Sequence, residues 1–262
     1  MHSAAFLAAG IDGSYLAHDC ASDDLGTALS EFRAAGYRGL NVTVPHKESV
    51  MAFCDSVEPS ALRLGAVNTV TFLPERTVGS NTDLPGFMGS LAAQLDFQPS
   101  GRRVLVIGAG GSARAVVCGL CDGGADVYVT NRTFGRAVAL CDGLGGTPLE
   151  YDRQILNALD PDLVVNTTSV GMKATPGSAE WAAAEVFFDR LGDWSSVPAY
   201  DLIYTPERTP FLSRFDRGAH GLDMLIRQGA LSFQRWTGVP LNRVLPAMRS
   251  GLSADPQGPL GR

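Results

Sequence analysis

The sequence predicts an α/β protein whose second half carries a doubly wound parallel sheet. Three observations lead there. From residue 101 onward, short apolar runs alternate with segments of helical spacing. The first of these runs, Arg103-Val-Leu-Val-Ile-Gly108, passes straight into a glycine-rich turn and a helix. The 262 residues are 45% apolar and 18% charged, which suffices to bury a core over one large or two modest domains.

The elements follow in chain order. Residues 22–35 open on a Ser-Asp-Asp cap, place Leu25, Ala28, Leu29 and Phe32 at helical spacing, and end at Gly36. Gly39-Leu-Asn-Val-Thr-Val44 reads as a strand that stops at Pro45. Residues 46–54 and 59–64 read as short helices. Residues 66–73 and 77–80 read as a hairpin around Pro74-Glu-Arg. Residues 83–95 form a helix. Strands follow at 103–108, 126–130, 163–166 and 199–203, with helices over 115–120 and 134–143 between them. A last helix over 222–236 aligns Leu222, Leu225, Ile226, Ala230 and Phe233 on one face. Residues 250–262 hold turn formers and few core residues, which predicts a frayed tail.

Gly108-Ala-Gly-Gly-Ser-Ala113 lies where a strand turns into a helix, a setting that lets backbone N–H groups and a helix N-terminus meet a pyrophosphate. The pattern alone is weak, and its third glycine is replaced by Ala113; the flanking strand and helix strengthen it. At the end of the next strand, an NAD site usually presents a carboxylate to the ribose. Here stand Asn131-Arg132-Thr133, with Arg136 a helical turn later. Guanidinium groups at this place favour a 2′-phosphate and hence NADP. A Rossmann-like NADP domain is the resulting expectation.

The formal net charge of −6 argues against nucleic acid as a partner, and no apolar run is long enough to span a membrane. The start lacks the cationic and apolar regions of a signal peptide. Five scattered cysteines suit reduced thiols, and Cys118-Gly-Leu-Cys121 falls inside a helix, where packing explains it. The four histidines show no metal spacing. These readings point to an acidic enzyme or binding protein of the cytoplasm, with monomer and homodimer both open at this level.

Only Lys47 and Lys173 are lysines, against 19 arginines. Lys47 follows a strand end; Asp83 stands at a helix N-cap position. By themselves they read as a surface lysine and a capping aspartate. Their surroundings change that. Asn41-Val-Thr-Val-Pro-His-Lys47, Gly65-Ala-Val-Asn-Thr69, Asn81-Thr-Asp83, the Gly108–Ala113 turn, Asn131-Arg-Thr133, Asn166-Thr-Thr-Ser-Val-Gly-Met172, Tyr200-Asp-Leu-Ile-Tyr204 and the stretch from Gly221 to Gln228 occur in this order. Together they closely resemble the shikimate dehydrogenase family, over residues 1–248.

The resemblance implies an N-terminal α/β substrate domain over 1–83, completed by 222–249, and a Rossmann-like NADP domain over 84–221, with catalysis between them. It implies reduction of 3-dehydroshikimate to shikimate by NADPH. Lys47 and Asp83 match the catalytic pair. Asn41, Thr43, Asn68 and Gln228 match substrate contacts, and Tyr204 a neighbour of the substrate. Gly108, Ala109, Gly110, Gly111, Ser112 and Ala113 match the phosphate turn. Asn131, Arg132, Thr133 and Arg136 match the NADP-selective clasp, and Ser169, Met172 and Gly221 the nicotinamide side. A lysine ammonium beside the carbonyl oxygen stabilises developing charge and donates a proton, with Asp83 orienting it. Which member of the pair carries the proton stays open at this level.

The resemblance also marks departures. Family members begin with a strand and a Ser-x-Ser-Pro segment before a Met-His-Asn sequence that Met1-His-Ser3 matches here. The hydroxyl pair that binds the substrate carboxylate is expected upstream of this start; a shortened enzyme or a non-catalytic nucleotide-binding homologue are the alternatives. A quinate-type dehydrogenase is the neighbouring alternative within the family. Asp223 is unusual for the family and is expected to face solvent as a helix N-cap.

Overall fold

The structure, a computed structural model, describes residues 1–253. In chain order it forms α1 (His2–Ala9), α2 (Leu25–Ala34), β1 (Gly39–Asn41), β2 (Ser56–Val57), α3 (Pro59–Leu64), β3 (Thr69–Phe72), β4 (Thr77–Ser80) and α4 (Asp83–Leu95). There follow β5 (Arg103–Ile107), α5 (Gly111–Asp122), β6 (Asp126–Asn131), α6 (Phe134–Leu144), β7 (Thr147–Glu150), α7 (Arg153–Asn157), β8 (Leu163–Asn166) and α8 (Ala179–Phe188). The described chain ends with β9 (Ala199–Asp201), β10 (Gly218–His220), α9 (Leu222–Thr237) and α10 (Leu241–Ser253). It divides into two compact units, residues 1–86 with 225 onward, and residues 87–224.

The first unit is built on a four-stranded sheet of order β1-β3-β4-β2. The β3–β4 hairpin is antiparallel, with Thr69 opposite Ser80, as the turn at 74–76 predicts. Leu25 and Leu29 from α2 bury against Val67, Val70 and Phe72 beneath it. The β1 ladder ends where Asn41 pairs with Thr69, so the strand is shorter than the run to Val44 suggests. One more backbone bond, Val42 N to Asn68 O at 2.8 Å, carries it to the turn that holds Lys47. β1 also lines a cavity of about 1190 Å³, together with residues 11–20, Phe32 and Trp236. Tyr15 reaches back across that side, donating to Asn41 Oδ1 at 3.1 Å.

Helix α1 has no sequence signature, because it is apolar on all sides and offers no periodic polar face. It packs against α10, and the contact is tight. A Cβ on Gly251 would stand 2.6 Å from the Ala4 Cβ. That docking extends α10 through Ser253, so residues 250–253 are helical rather than frayed; residues 254–262 of the expected tail lie outside the described residues. Helix α9 is fastened to the sheet by Trp236 Nε1, which donates to Val70 O at 3.0 Å over Gly39, where no side chain would fit.

The second unit is a six-stranded, fully parallel sheet of order β10-β9-β8-β5-β6-β7. Read from β7, this is the doubly wound order 3-2-1-4-5-6. The central strands are continuous apolar runs because both faces are covered. Pro148 sits in β7, an edge strand, where a missing N–H is tolerated. The strand order reverses between β5 and β8, the place where such sheets open a ligand crevice. Among the described residues no helix is long and apolar enough to cross a membrane.

His2 is 3% exposed and lies flat on the Tyr15 ring, centroids 3.9 Å apart. Burial pushes its pKa down to about 4 from 6.5. Between those values the unfolded chain binds the proton and the folded chain does not. Unfolding free energy should therefore fall as pH drops from 6.5 to 4, by up to roughly 3 kcal/mol from this residue. Urea denaturation at stepped pH checks it: His2→Phe should flatten this acid limb, and an unchanged limb would refute the assignment.

Candidate active site

The residues matching a catalytic pair meet in the first unit. Lys47 Nζ donates to Asp83 Oδ2 at 2.7 Å, with side chains 18% and 12% exposed. The other carboxylate oxygen, Oδ1, accepts from Asn68 Nδ2 at 2.8 Å. Asp83 is thus gripped at both oxygens, while the ammonium keeps two further N–H donors. The capping expectation for Asp83 is corrected: Asn81 Oδ1 accepts from Asp83 N at 2.9 Å and Leu84 N at 3.4 Å. Because Asn81 caps α4, the Asp83 carboxylate is free to turn to Lys47.

Asn68, 2% exposed, is the junction of this cluster. Its Oδ1 accepts from Thr82 N at 2.8 Å and from Thr69 Oγ1 at 2.9 Å. Gln228 Oε1 lies 3.4 Å from its Nδ2. Asn41 joins through α9: its Nδ2 donates to Ser232 Oγ at 2.8 Å, and Ser232 stands within 2.8 Å of Thr69 Oγ1. Gly86 lets α4 approach α9 closely, since a Cβ there would stand 3.0 Å from the Gln228 Cβ. Lys47, Asp83, Asn68, Asn41 and Gln228 therefore form one hydrogen-bonded group. Thr43 is exposed in the turn before Lys47, its carbonyl accepting from His46 N at 2.9 Å, and among the described residues it makes no hydrogen bond to this group.

The remaining predicted residues lie in the second unit. Gly108, with φ of +109°, ends β5, and a Cβ there would collide with Thr167 Oγ1 at 2.4 Å. The loops after β5 and β8 are laced together at this point, Thr167 Oγ1 donating to Ile107 O at 2.8 Å. Above Gly110 and Gly111 an added Cβ would meet nothing within 4 Å, and among the described residues no side chain caps the start of α5. The open backbone, the uncapped N–H groups of residues 111–113 and a twelve-residue helix suit a pyrophosphate. Ala109 and Ser112 are half-buried in this turn. Ala113 is fully buried, the small residue that helix-on-strand packing needs in place of a glycine.

At the end of β6, Asn131 Nδ2 donates to Thr133 O at 2.9 Å and sets the turn that leaves Arg132, Thr133 and Arg136 exposed. Ser169 and Met172 are exposed on the loop after β8. Tyr204, half-buried after β9, belongs to this unit and not to the Lys47 group. Gly221 donates to Ile203 O at 3.1 Å, and a Cβ on it would strike Leu202 O.

Asp223 differs from its expectation. It is the second residue of α9 and only 8% exposed, because the first turn of the helix is packed inward. Sequence reasoning also missed Asn81, Thr82, Ser232, Asp201 and Thr209, all buried polar residues. For Ser232 a signal existed: it lies one helical turn after Gln228, on the same face.

Three family models match the chain: "Shikimate dehydrogenase substrate binding domain" over residues 1–70, "Shikimate / quinate 5-dehydrogenase" over 90–172 and "Shikimate 5'-dehydrogenase C-terminal domain" over 221–249. The shikimate dehydrogenase (NADP(+)) of Moorella thermoacetica is 40% identical, over 99% of this chain and 90% of its own length. The crystal structure of the Thermus thermophilus shikimate 5-dehydrogenase with NADP(H) and shikimate superposes with a TM-score of 0.79 at 36% identity, covering 96% of this chain and 93% of that one. Quinate dehydrogenase from Corynebacterium glutamicum, in complex with NAD, gives 0.79 at 30% identity, with 95% and 92% covered. With the paired Lys47 and Asp83, the glycine turn and this extent of likeness, the chain belongs to the shikimate dehydrogenase family.

Proposed function

We propose that this protein is a cytoplasmic enzyme that reduces 3-dehydroshikimate to shikimate with NADPH, a step toward aromatic amino acids, and runs the reverse oxidation with NADP. The observation that carries this is the Lys47–Asp83 contact at 2.7 Å, anchored by Asn68, in a chain 40% identical to a named NADP-dependent relative. The nicotinamide, when bound, supplies the reducing equivalent to the ketone carbon.

The protein's own residues do the rest. Lys47 directs its two remaining N–H donors at the ketone oxygen, stabilises the charge that develops there and hands over a proton. Asp83 holds the ammonium in place and balances its charge; being fixed by Asn68, it does not have to reorganise during the reaction. In oxidation, neutral Lys47 takes the alcohol proton. Asn41, Thr43, Asn68 and Gln228 contact the ring hydroxyls in the first unit, and Tyr204 neighbours the substrate from the second. Gly108 to Ala113 receive the pyrophosphate, Arg132 and Arg136 take the 2′-phosphate beside Asn131 and Thr133, and Ser169, Met172 and Gly221 line the nicotinamide.

The test is formation of the reduced nicotinamide, NADPH or NADH, followed by absorbance, with shikimate or quinate and with NADP or NAD. NADP-dependent oxidation of shikimate should dominate; faster turnover of quinate would replace this reading with a quinate dehydrogenase. Lys47→Ala should lower kcat by about two to three orders of magnitude and leave NADPH affinity within about twofold. Equal turnover in that variant would remove Lys47 from the chemistry. Arg132→Ala should raise KM for NADP about tenfold and leave KM for NAD nearly unchanged. A parallel rise for both cofactors would count against a phosphate contact.

A further inference from the structure

Asp201 is a buried carboxylate that the chemistry above does not use. It is the last residue of β9, directly across the ladder from Asn166, the last residue of β8. It is fully buried, and its three hydrogen bonds come from neutral donors. Asn166 Nδ2 and Ile203 N donate to Oδ1 at 2.9 and 3.0 Å, and Thr209 Oγ1 donates to Oδ2 at 2.6 Å. Burial raises its pKa to about 7, with the bonds from Thr209, Ile203 and Asn166 opposing the rise. Ionising a carboxylate in such a place is costly, and the three donors offset part of that cost.

The donors lead into two loops, Asn166 into the one after β8, Ile203 and Thr209 into the start and end of the one after β9. Asn166 Oδ1 accepts from Thr168 N at 3.0 Å and Thr168 Oγ1 at 2.7 Å, and Thr168 Oγ1 accepts from Val170 N at 3.2 Å. That chain shapes the loop bearing Ser169 and Met172. Ile203 accepts from Gly221 N and begins the loop bearing Tyr204. Thr209 Oγ1 accepts from Leu212 N at 3.1 Å and anchors the turn at the end of that loop. Lys173 N donates to Thr205 O at 3.1 Å, joining the two loops again.

We propose that Asp201 is a positioning residue for the nicotinamide half of the cofactor site, its carboxylate tying the loops after β8 and β9 of the second unit into one frame. The proposal rests on the NADP reading above. Asp201→Ala leaves three buried donors without an acceptor and loosens both loops. Asp201→Asn keeps the Oδ1 acceptor and turns an N–H toward Thr209 Oγ1, so the frame survives without the charge.

Wild type is measured first, by NADPH fluorescence titration and by shikimate oxidation. Failure to bind NADPH overturns both the reading and the proposal. Binding without shikimate turnover overturns only the substrate assignment, and the titrations of the variants still decide the role of Asp201. Asp201→Ala should weaken NADPH binding about tenfold and raise KM for shikimate less, about threefold, through the loop bearing Tyr204, and Asp201→Asn should restore NADPH binding to within about threefold of wild type. Thr209→Val, which removes one donor to Asp201 and the acceptor of Leu212 N, serves if Asp201→Ala does not fold, and should weaken NADPH binding about threefold. NADPH binding unchanged in Asp201→Ala, or in Thr209→Val where that stands in, overturns the proposal. So does an equal rise in KM for cofactor and shikimate, or an Asp201→Asn variant as impaired as Asp201→Ala.

Discussion

Asn68 uses both ends of its carboxamide inside the protein, and the site in the first unit depends on that. Its oxygen gathers the Thr82 amide and the Thr69 hydroxyl; its nitrogen reaches the Asp83 carboxylate. The orientation of the amide is thereby determined: reversed, it would set N–H against N–H at Thr82 and oxygen against oxygen at Asp83. One residue thus joins the entry to β3, the start of α4 and the carboxylate facing Lys47. A buried amide with an unmatched end is destabilising, so the network holds as a unit or not at all.

The two units solve the same problem with the same pair of residue types. In the first, Asn68 donates to Asp83, which passes the constraint to Lys47. In the second, Asn166 donates to Asp201, which passes it to the loops after β8 and β9. Both asparagines stand at strand ends, where the ladder stops and backbone groups must find other partners. Polar side chains at such ends serve as caps for the sheet and as supports for what projects beyond it.

Close backbone approach is the complementary constraint. Gly39 lies under Trp236, Gly86 under Gln228, Gly108 against Thr167 and Gly251 against Ala4. At each place a side chain would push apart elements that carry or support site residues. Even glycines outside any motif therefore set the spacing on which the hydrogen bonds depend.

Much of the fold is legible in the amino-acid sequence. The period of apolar residues marks α2, α4, α6, α9 and the central strands to within a few residues, because those elements present one apolar face or are buried on both. Helix α1 is not legible, since uniform apolarity has no period, and neither is the end of α10, which is decided by docking on α1. Ordered motifs name the candidate residues. That Asp83 turns to Lys47 instead of capping α4, that Asp223 is buried, and that Ser232 and Asp201 hold neighbouring groups depends on partners far along the chain, up to 191 positions away for Asn41 and Ser232. The sequence by itself determined which local elements form and which reactive groups are available, because propensity, capping and periodicity act over a few residues. Only the tertiary structure decided how those groups are paired, because a hydrogen bond across the fold depends on packing that no local pattern records.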